Sequence, residues 1–213
     1  MVEISYIGHA SFKFIGKTIS IVTDPFTDES IGLKYPRTEA DVVTISHEHK
    51  DHNNREGVKE GYICFDSPGE YEIKGAEIVG IKSFHDQSAG SERGNNTIFV
   101  YDIDGIKICH LGDLGHELNS DQIEKIDGID VLIIPVGGKY TIDAKKATRV
   151  ISAIGPKIVI PAHFKAGNMK DLDGVDEFLK EMGVEAKKSK ELKLKQKELP
   201  EVLEIYLLEP KSK

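Results

Sequence analysis

The chain has 213 residues, 39% of them hydrophobic, enough to bury a full core. A formal charge of -8 argues against a general nucleic-acid or anionic-membrane surface, although a local metal charge could still draw a phosphate. No apolar run approaches the roughly 20 residues that span a bilayer, and the start from Met1 to Tyr6 carries no basic leader, so the expected location is cytoplasmic.

β-type runs dominate to about Ile108. The first ends in Gly8-His9-Ala10-Ser11-Phe12, where His9 can reach the mouth of a site or simply satisfy backbone groups in a turn. Ile19 to Val22 leads to Asp24-Pro25, another carboxylate at a strand end. Val42 to Ile45 leads to His47-Glu48-His49-Lys50-Asp51-His52, with a helix expected after it. Cys64 and Cys109 show no pairing signature and sit in apolar stretches where a small buried residue is the ordinary reading. A strand over Glu77 to Phe84 ends at His85-Asp86, and one over Ile106 to Leu111 ends at Gly112-Asp113. His116 is expected to be exposed at the start of a helix containing Ser120 to Ile126. Strand Val131 to Val136, helix Asp143 to Ile154 and strand Lys157 to Ile160 follow, the last running through Pro161-Ala162 into His163. A helix is expected over Asp171 to Glu181, ended by Gly183. The lysine-rich stretch Lys187 to Lys197 reads as solvated surface or connector, and Val202 to Leu208 as a final strand.

Three imidazoles and the Glu48 and Asp51 carboxylates in six residues are ordinarily a solvated loop with accidental histidines. Here three further strands each deliver a ligand type at a carboxyl end, where α/β sheets gather their sites, and the pattern points to a metal centre. His47 and His49 are two apart, so in an extended segment they project to one side and can share an ion. Asp51 and His52 are adjacent and diverge, so a turn lets them face a second ion. Imidazole and carboxylate without thiolate suit zinc, and also manganese or iron(II).

His47-x-His49-x-Asp51-His52, then His85, then Gly112-Asp113, then His163 in Ile-Pro-Ala-His, resembles the ordered ligand set of the metallo-β-lactamase superfamily. Tyr6 to Phe12 and Ser83 to Asp86 are similar to a branch of small Zn-dependent hydrolases related to the bacterial ascorbate-6-phosphate lactonase. The resemblance runs from about Ile4 to Phe164 and loosely beyond; it is specific for fold and metals and weak for substrate. It implies an α/β fold, a four-layer αβ/βα sandwich, which with ligands from both halves reads as one domain over residues 1–213. It implies one ion on His47, His49 and His85, a second on Asp51, His52 and His163, Asp113 bridging, and a water or hydroxide between the ions. Such a nucleophile attacks an ester, lactone, amide or phosphoester bond and needs no serine or cysteine. Diiron redox members carry glutamate where this chain has His49, which favours hydrolysis. The resemblance also makes Asp24 a candidate to orient a ligand histidine, against its plain reading as an Asp-Pro turn former.

His110 competes with His85 as third ligand of the first ion; His85 is preferred because it lies at a strand end beside a carboxylate, whereas His110 lies inside a strand. The loops Ser88 to Asn96 and Gly137 to Thr141 could touch substrate through Arg93 and Lys139, although such clusters are mostly turns. The expected activity is that of a metal-dependent hydrolase with a dinuclear centre, acting on a small, anionic substrate held by Arg93, with Asp51, Asp113 and His9 also at the reacting centre. The rivals are a phosphodiesterase or nuclease of the same fold and a non-catalytic metal-binding module. The expected partner is a small molecule rather than a membrane or nucleic acid, and self-association is left open.

Overall fold

The computed structural model describes residues 1–213. Short apolar runs separated by turn residues build β1 (Val2–Gly8), β2 (Ser11–Ile15), β3 (Ser20–Thr23), the short helix α1 (Asp28–Ile31), β4 (Val42–Thr44) and β5 (Ile63–Phe65). A meander follows in β6 (Gly69–Ile73), β7 (Ala76–Phe84), β8 (Asn95–Ile103) and β9 (Ile106–His110). Helices then alternate with strands: α2 (Ser120–Ile126), β10 (Val131–Pro135), α3 (Ala144–Ile154), β11 (Ile158–Ala162) and α4 (Val175–Met182). The chain closes with β12 (Ala186–Ser189), β13 (Leu192–Leu194) and β14 (Glu204–Leu208).

Two mixed sheets result, in the orders β13-β1-β2-β3-β4-β5 and β12-β14-β11-β10-β9-β8-β7-β6. Phe12, Phe14 and Ile21 of the first meet Ile78, Phe99, Tyr101, Ile108 and Ile133 of the second in a shared core. A hydroxyl pair, Thr44 Oγ1 to Tyr101 Oη at 2.7 Å, bridges the sheets within it. On the outer face of the eight-stranded sheet, Leu132, Ile134 and Val159 pack under Ile126, Ala147, Val150, Ile151 and Phe178 from α2, α3 and α4. Strands β10 and β11 are buried throughout because alternate residues serve the two cores: Val131 and Ile133 face one, Leu132 and Ile134 the other. On the outer face of the six-stranded sheet, Ile7, Val22, Val43 and Ile45 pack under Phe26, Ile31, Tyr35 and Val58. The architecture is an αβ/βα sandwich whose second helical layer is reduced to α1 and loops.

Helix α3 follows from its sequence: Ala147, Val150 and Ile151 form the apolar stripe, the Asp143 carboxylate caps the Lys146 amide, and Gly155 ends the helix in a left-handed turn. Three expectations need correcting. After the His-rich loop there is a single 3-10 turn, Arg55–Gly57, because Asn54 is tied to the Pro25 and Phe26 carbonyls and Lys59 to that of Thr38. Helix α4 starts at Val175 rather than Asp171, since the Asp173 amide donates to Gly137 and its carbonyl accepts from Lys165. The lysine-rich connector contains β12 and β13, and in β13 Leu192 and Leu194 alternate with lysine and are buried against β1. No helix is long and apolar enough to cross a membrane.

Candidate metal centre

The carboxyl ends of β1, β3, β4, β7, β9 and β11 deliver the polar residues to one edge of the sandwich. The turns are tight: His9, Asp24 and His163 each follow a strand end directly or within a residue, and each has positive φ, at 56°, 38° and 49°. Non-glycine residues in this region cost roughly 1–2 kcal/mol, and such strain concentrates at functional sites. Gly112, at φ 56°, leads into Asp113; a Cβ there would lie 2.5 Å from Asn96 Oδ1 and 2.6 Å from Ser46 Cβ, so no larger residue fits.

Asp113 lies at the centre. Its Oδ2 is 3.1 Å from His85 Nε2, 3.1 Å from His163 Nε2, 3.3 Å from His52 Nε2 and 3.8 Å from His47 Nε2. His47, His49 and His85 form one group whose ligand atoms lie within 4.8 Å of one another, and His9, Asp51, His52 and His163 form another. His49 alone among these is exposed, and Asp51 is intermediate. Both groups contain the sets that the sequence pattern brings forward, with His9 added.

One buried carboxylate braces both groups. Asp24 accepts from the Ser46 amide (2.7 Å), the Ser46 hydroxyl (2.6 Å) and His52 Nδ1 (3.0 Å), while Ser46 Oγ also lies 2.9 Å from His47 Nδ1. This fixes one imidazole of each group: His52 Nε2 lies 3.3 Å from Asp113 Oδ2, and His47 Nε2 lies 2.9 Å from His49 Nδ1 and 3.8 Å from Asp113 Oδ2. Asn96 braces Asp113: its Oδ1 accepts the Asp113 amide, and its Nδ2 donates to Ser83 Oγ and the Leu111 carbonyl.

The charges follow from these contacts. Burial opposes ionisation of Asp113, but the His163 and His52 imidazoles hold its carboxyl well below the usual range. Burial likewise opposes a charged His52, but Asp113 and Asp24 outweigh it and raise its pKa well above the ordinary value. Burial together with His52 pushes His47 down to about 3, and burial together with His163 pushes His9 down to about 4. The cluster thus joins neutral imidazoles, His47 and His9, and one protonated imidazole, His52, to ionised carboxylates, a donor set that matches hard or borderline divalent cations once His52 gives up its proton. Buried atoms without hydrogen-bond partners, His52 Nε2, Asp113 Oδ1 and both His9 nitrogens, point the same way, because such groups are costly unless something satisfies them.

The other histidines fall elsewhere. His110 is buried with both nitrogens engaged: Nε2 donates to the Ala10 carbonyl and Nδ1 accepts from Gly112. It joins neither group. His116 is not a helix-start residue, since Asn119 caps α2; its Nε2 accepts the Phe84 amide and pins the end of β7 beside His85. His9 lies wholly buried against His163, ring centroids 4.2 Å apart, and not at the mouth of the site. Arg93 is exposed, its guanidinium 4.5 Å over the Tyr140 ring, on a loop that Asp86 gathers by accepting four backbone amides. A cleft of about 550 Å³ runs from His85 past Arg93 to Lys139, Tyr140 and Lys146, and a second cleft places Arg93 beside His47 and His49. Sequence reading missed Ser46, Asn96 and Lys146. Ser46 precedes His47 and could have been suspected; Asn96 sat in an Asn-Asn pair that looked like a turn, and Lys146 in an amphipathic helix.

The family model for the beta-lactamase superfamily domain matches residues 3–163. A metal-dependent hydrolase from Thermococcus onnurineus is 29% identical over 191 residues, covering 77% of this chain and 85% of its own. One from Thermoplasma acidophilum is 30% identical over 187 residues, covering 76% and 83%. The crystal structure of a proposed Zn-dependent hydrolase of the metallo-beta-lactamase superfamily from Thermotoga maritima is 38% identical, superposes with a TM-score of 0.85, and covers 99% of this chain and 100% of that one.

Proposed function

Since the chain belongs to the beta-lactamase superfamily domain family, we propose that it is a metal-dependent hydrolase with a dinuclear centre. The observation that carries this reading is the position of Asp113 Oδ2, which faces imidazoles from both ligand groups at once. His47, His49 and His85 would hold one ion, Asp51, His52 and His163 the other, and Asp113 would join them. Zinc fits these donors, and manganese or iron(II) also do; neither Cys64 nor Cys109 belongs to a group. Bound ions would supply a water nucleophile near neutral pH and stabilise the oxyanion that develops on an ester, lactone, amide or phosphoester.

The chain's own residues would do the rest. Asp24 and Ser46 hold His52 and His47 in the tautomer that presents Nε2 to the centre. The clefts beside exposed His49 and beside His85 give a small substrate room on the first-ion side, which distinguishes this centre from a closed structural metal site. Arg93, shared by both clefts, would grip a distal phosphate or carboxylate with two hydrogen bonds. The test is elemental analysis of protein reconstituted with zinc, manganese or iron(II), combined with a panel of lactones, thioesters, amides and phosphodiesters. Two ions per chain with turnover of at least one class is the expected result. Binding of a single ion, or full metal loading without turnover across the panel, would count against it.

A further inference from the structure

His9 is the one histidine of the cluster that the two expected ligand sets leave unused, and its surroundings are unusual. Its side chain is fully buried, and neither ring nitrogen has a hydrogen-bond partner. A neutral imidazole carries one donor and one acceptor, and leaving either buried and unmet costs about 1–3 kcal/mol. The position is nevertheless fixed. The His9 carbonyl accepts from the His163 amide (2.9 Å) and the Tyr6 hydroxyl (3.0 Å), and its backbone is held left-handed at φ 56°. A turn histidine that merely satisfied backbone groups would use its ring for that purpose, and this ring makes no such bond.

The ring instead faces the second ligand group. It packs on His163 at 4.2 Å and edges His52 at 5.2 Å between centroids, and Nε2 lies 3.4 Å from Asp51 Oδ2. That separation is long for a hydrogen bond. It is, however, within the spacing of neighbouring donors around one cation: with metal–ligand bonds of about 2.0–2.2 Å and angles of roughly 90–120°, neighbouring donors lie about 2.8–3.8 Å apart. The Asp51–His52 and Asp113–His52 separations, 3.8 and 3.3 Å, fall in the same range.

We propose that His9 is a further ligand of the second ion, through Nε2, beside Asp51, His52 and His163. The proposal rests on the dinuclear reading above and changes its chemistry. With Asp113 shared, the second position gains five protein donors against four at the first. It then favours cations that accept more than four ligands, such as manganese(II), iron(II) or cobalt(II), over tetrahedral zinc. The two positions become unequal in metal preference, with the more open first position left for substrate.

The test counts imidazoles directly. Wild-type protein labelled with ¹⁵N-histidine and loaded with ¹¹³Cd is expected to show six metal-coupled imidazoles by NMR; five, with His9 uncoupled, overturns the proposal. His9→Asn keeps a residue that tolerates the left-handed turn. It is expected to weaken the second ion by at least about 10- to 100-fold, the range produced by losing even an orienting partner, and to alter the cobalt(II) absorption of that position while the first is unchanged. Unchanged affinity and spectrum would overturn it, as would weaker binding with an unchanged cobalt spectrum, which would reduce His9 to a hydrogen-bond support of Asp51. Wild-type protein that takes up only one ion would overturn the dinuclear reading itself.

Discussion

The two ligand groups lie side by side but are built differently. The group of His47, His49 and His85 lies in bends that follow β4 and β7, includes an exposed imidazole and borders two clefts. The group of Asp51, His52 and His163 is more deeply set, with two strained left-handed residues, Asp24 and His163, in or beneath it and a third, His9, packed against it. Strained backbone persists only where surrounding contacts over-determine it. Here they do: His163 and His9 share a backbone hydrogen bond, and Asp24 is held by Ser46 and His52. One group is rigid and the other accessible; on the proposed dinuclear reading, one cation would organise the site and its neighbour would meet substrate.

The largest effect is expected where the two groups meet. Asp113→Ala should release both ions, seen by elemental analysis, and reduce turnover to background. Retention of either ion at wild-type affinity would show that the groups are independent.

Single-histidine variants should then separate them. His85→Ala should remove the first ion and His163→Ala the second. His110→Ala, whose nitrogens are spent on Ala10 and Gly112, should keep both ions with losses within about 10- to 100-fold. Depletion of metal by His110→Ala with His85→Ala unaffected would reverse the assignment of the first group.

A subtler difference lies in protons. In the metal-free protein, His52 is charged between Asp24 and Asp113, whereas His47 is already neutral. Filling the second position should therefore expel the proton of His52, whereas His47 has none to give at the first; calorimetry in buffers of different ionisation enthalpy measures the difference. Linkage fixes the sign for stability too. The folded pKa of His52 is raised, so its contribution to the metal-free fold is complete below the unfolded value of about 6.5 and fades as pH rises through the folded one. Metal-free protein whose Tm rose across that window would contradict the charge placed on His52.

The smallest effect belongs to the cleft on the accessible side. Arg93→Ala should raise KM for an anionic substrate several-fold with less change in kcat. An unchanged KM, or a preference for neutral substrates, would remove Arg93 from the binding surface.

The sequence made this site unusually legible because its ligands cluster at strand ends, where chemistry and local pattern coincide. Spacing brings His47, His49 and Asp51 forward and position in a strand favours His85 over His110; the structure gathers these side chains into the two groups while His110 joins neither. The supports were hidden for a physical reason: Ser46 and Asn96 act by touching residues far along the chain, and no local pattern marks a buried amide that holds Asp113 from another strand. The fold shows the same divide. Strands β10 and β11 were plain in their apolar runs. Strand β13 was concealed by its lysines, since only two leucines turn inward there, and the helix expected after the His-rich loop was lost to tertiary hydrogen bonds.

The pairing of β13 with β1 also has a kinetic meaning. Val2 lies opposite Leu194, so the edge of the six-stranded sheet closes only after Leu192 to Leu194 have been made. Contacts this distant in sequence form slowly, because a long loop must be ordered before they contribute. Until then, β1 presents an unpaired edge, with Val2 and Ile4 still lacking Leu194 and Leu192 as cross-strand neighbours. Truncation before residue 192 should therefore leave a chain that aggregates through β1, and a ribosome-bound chain should acquire this edge only once Leu194 has emerged.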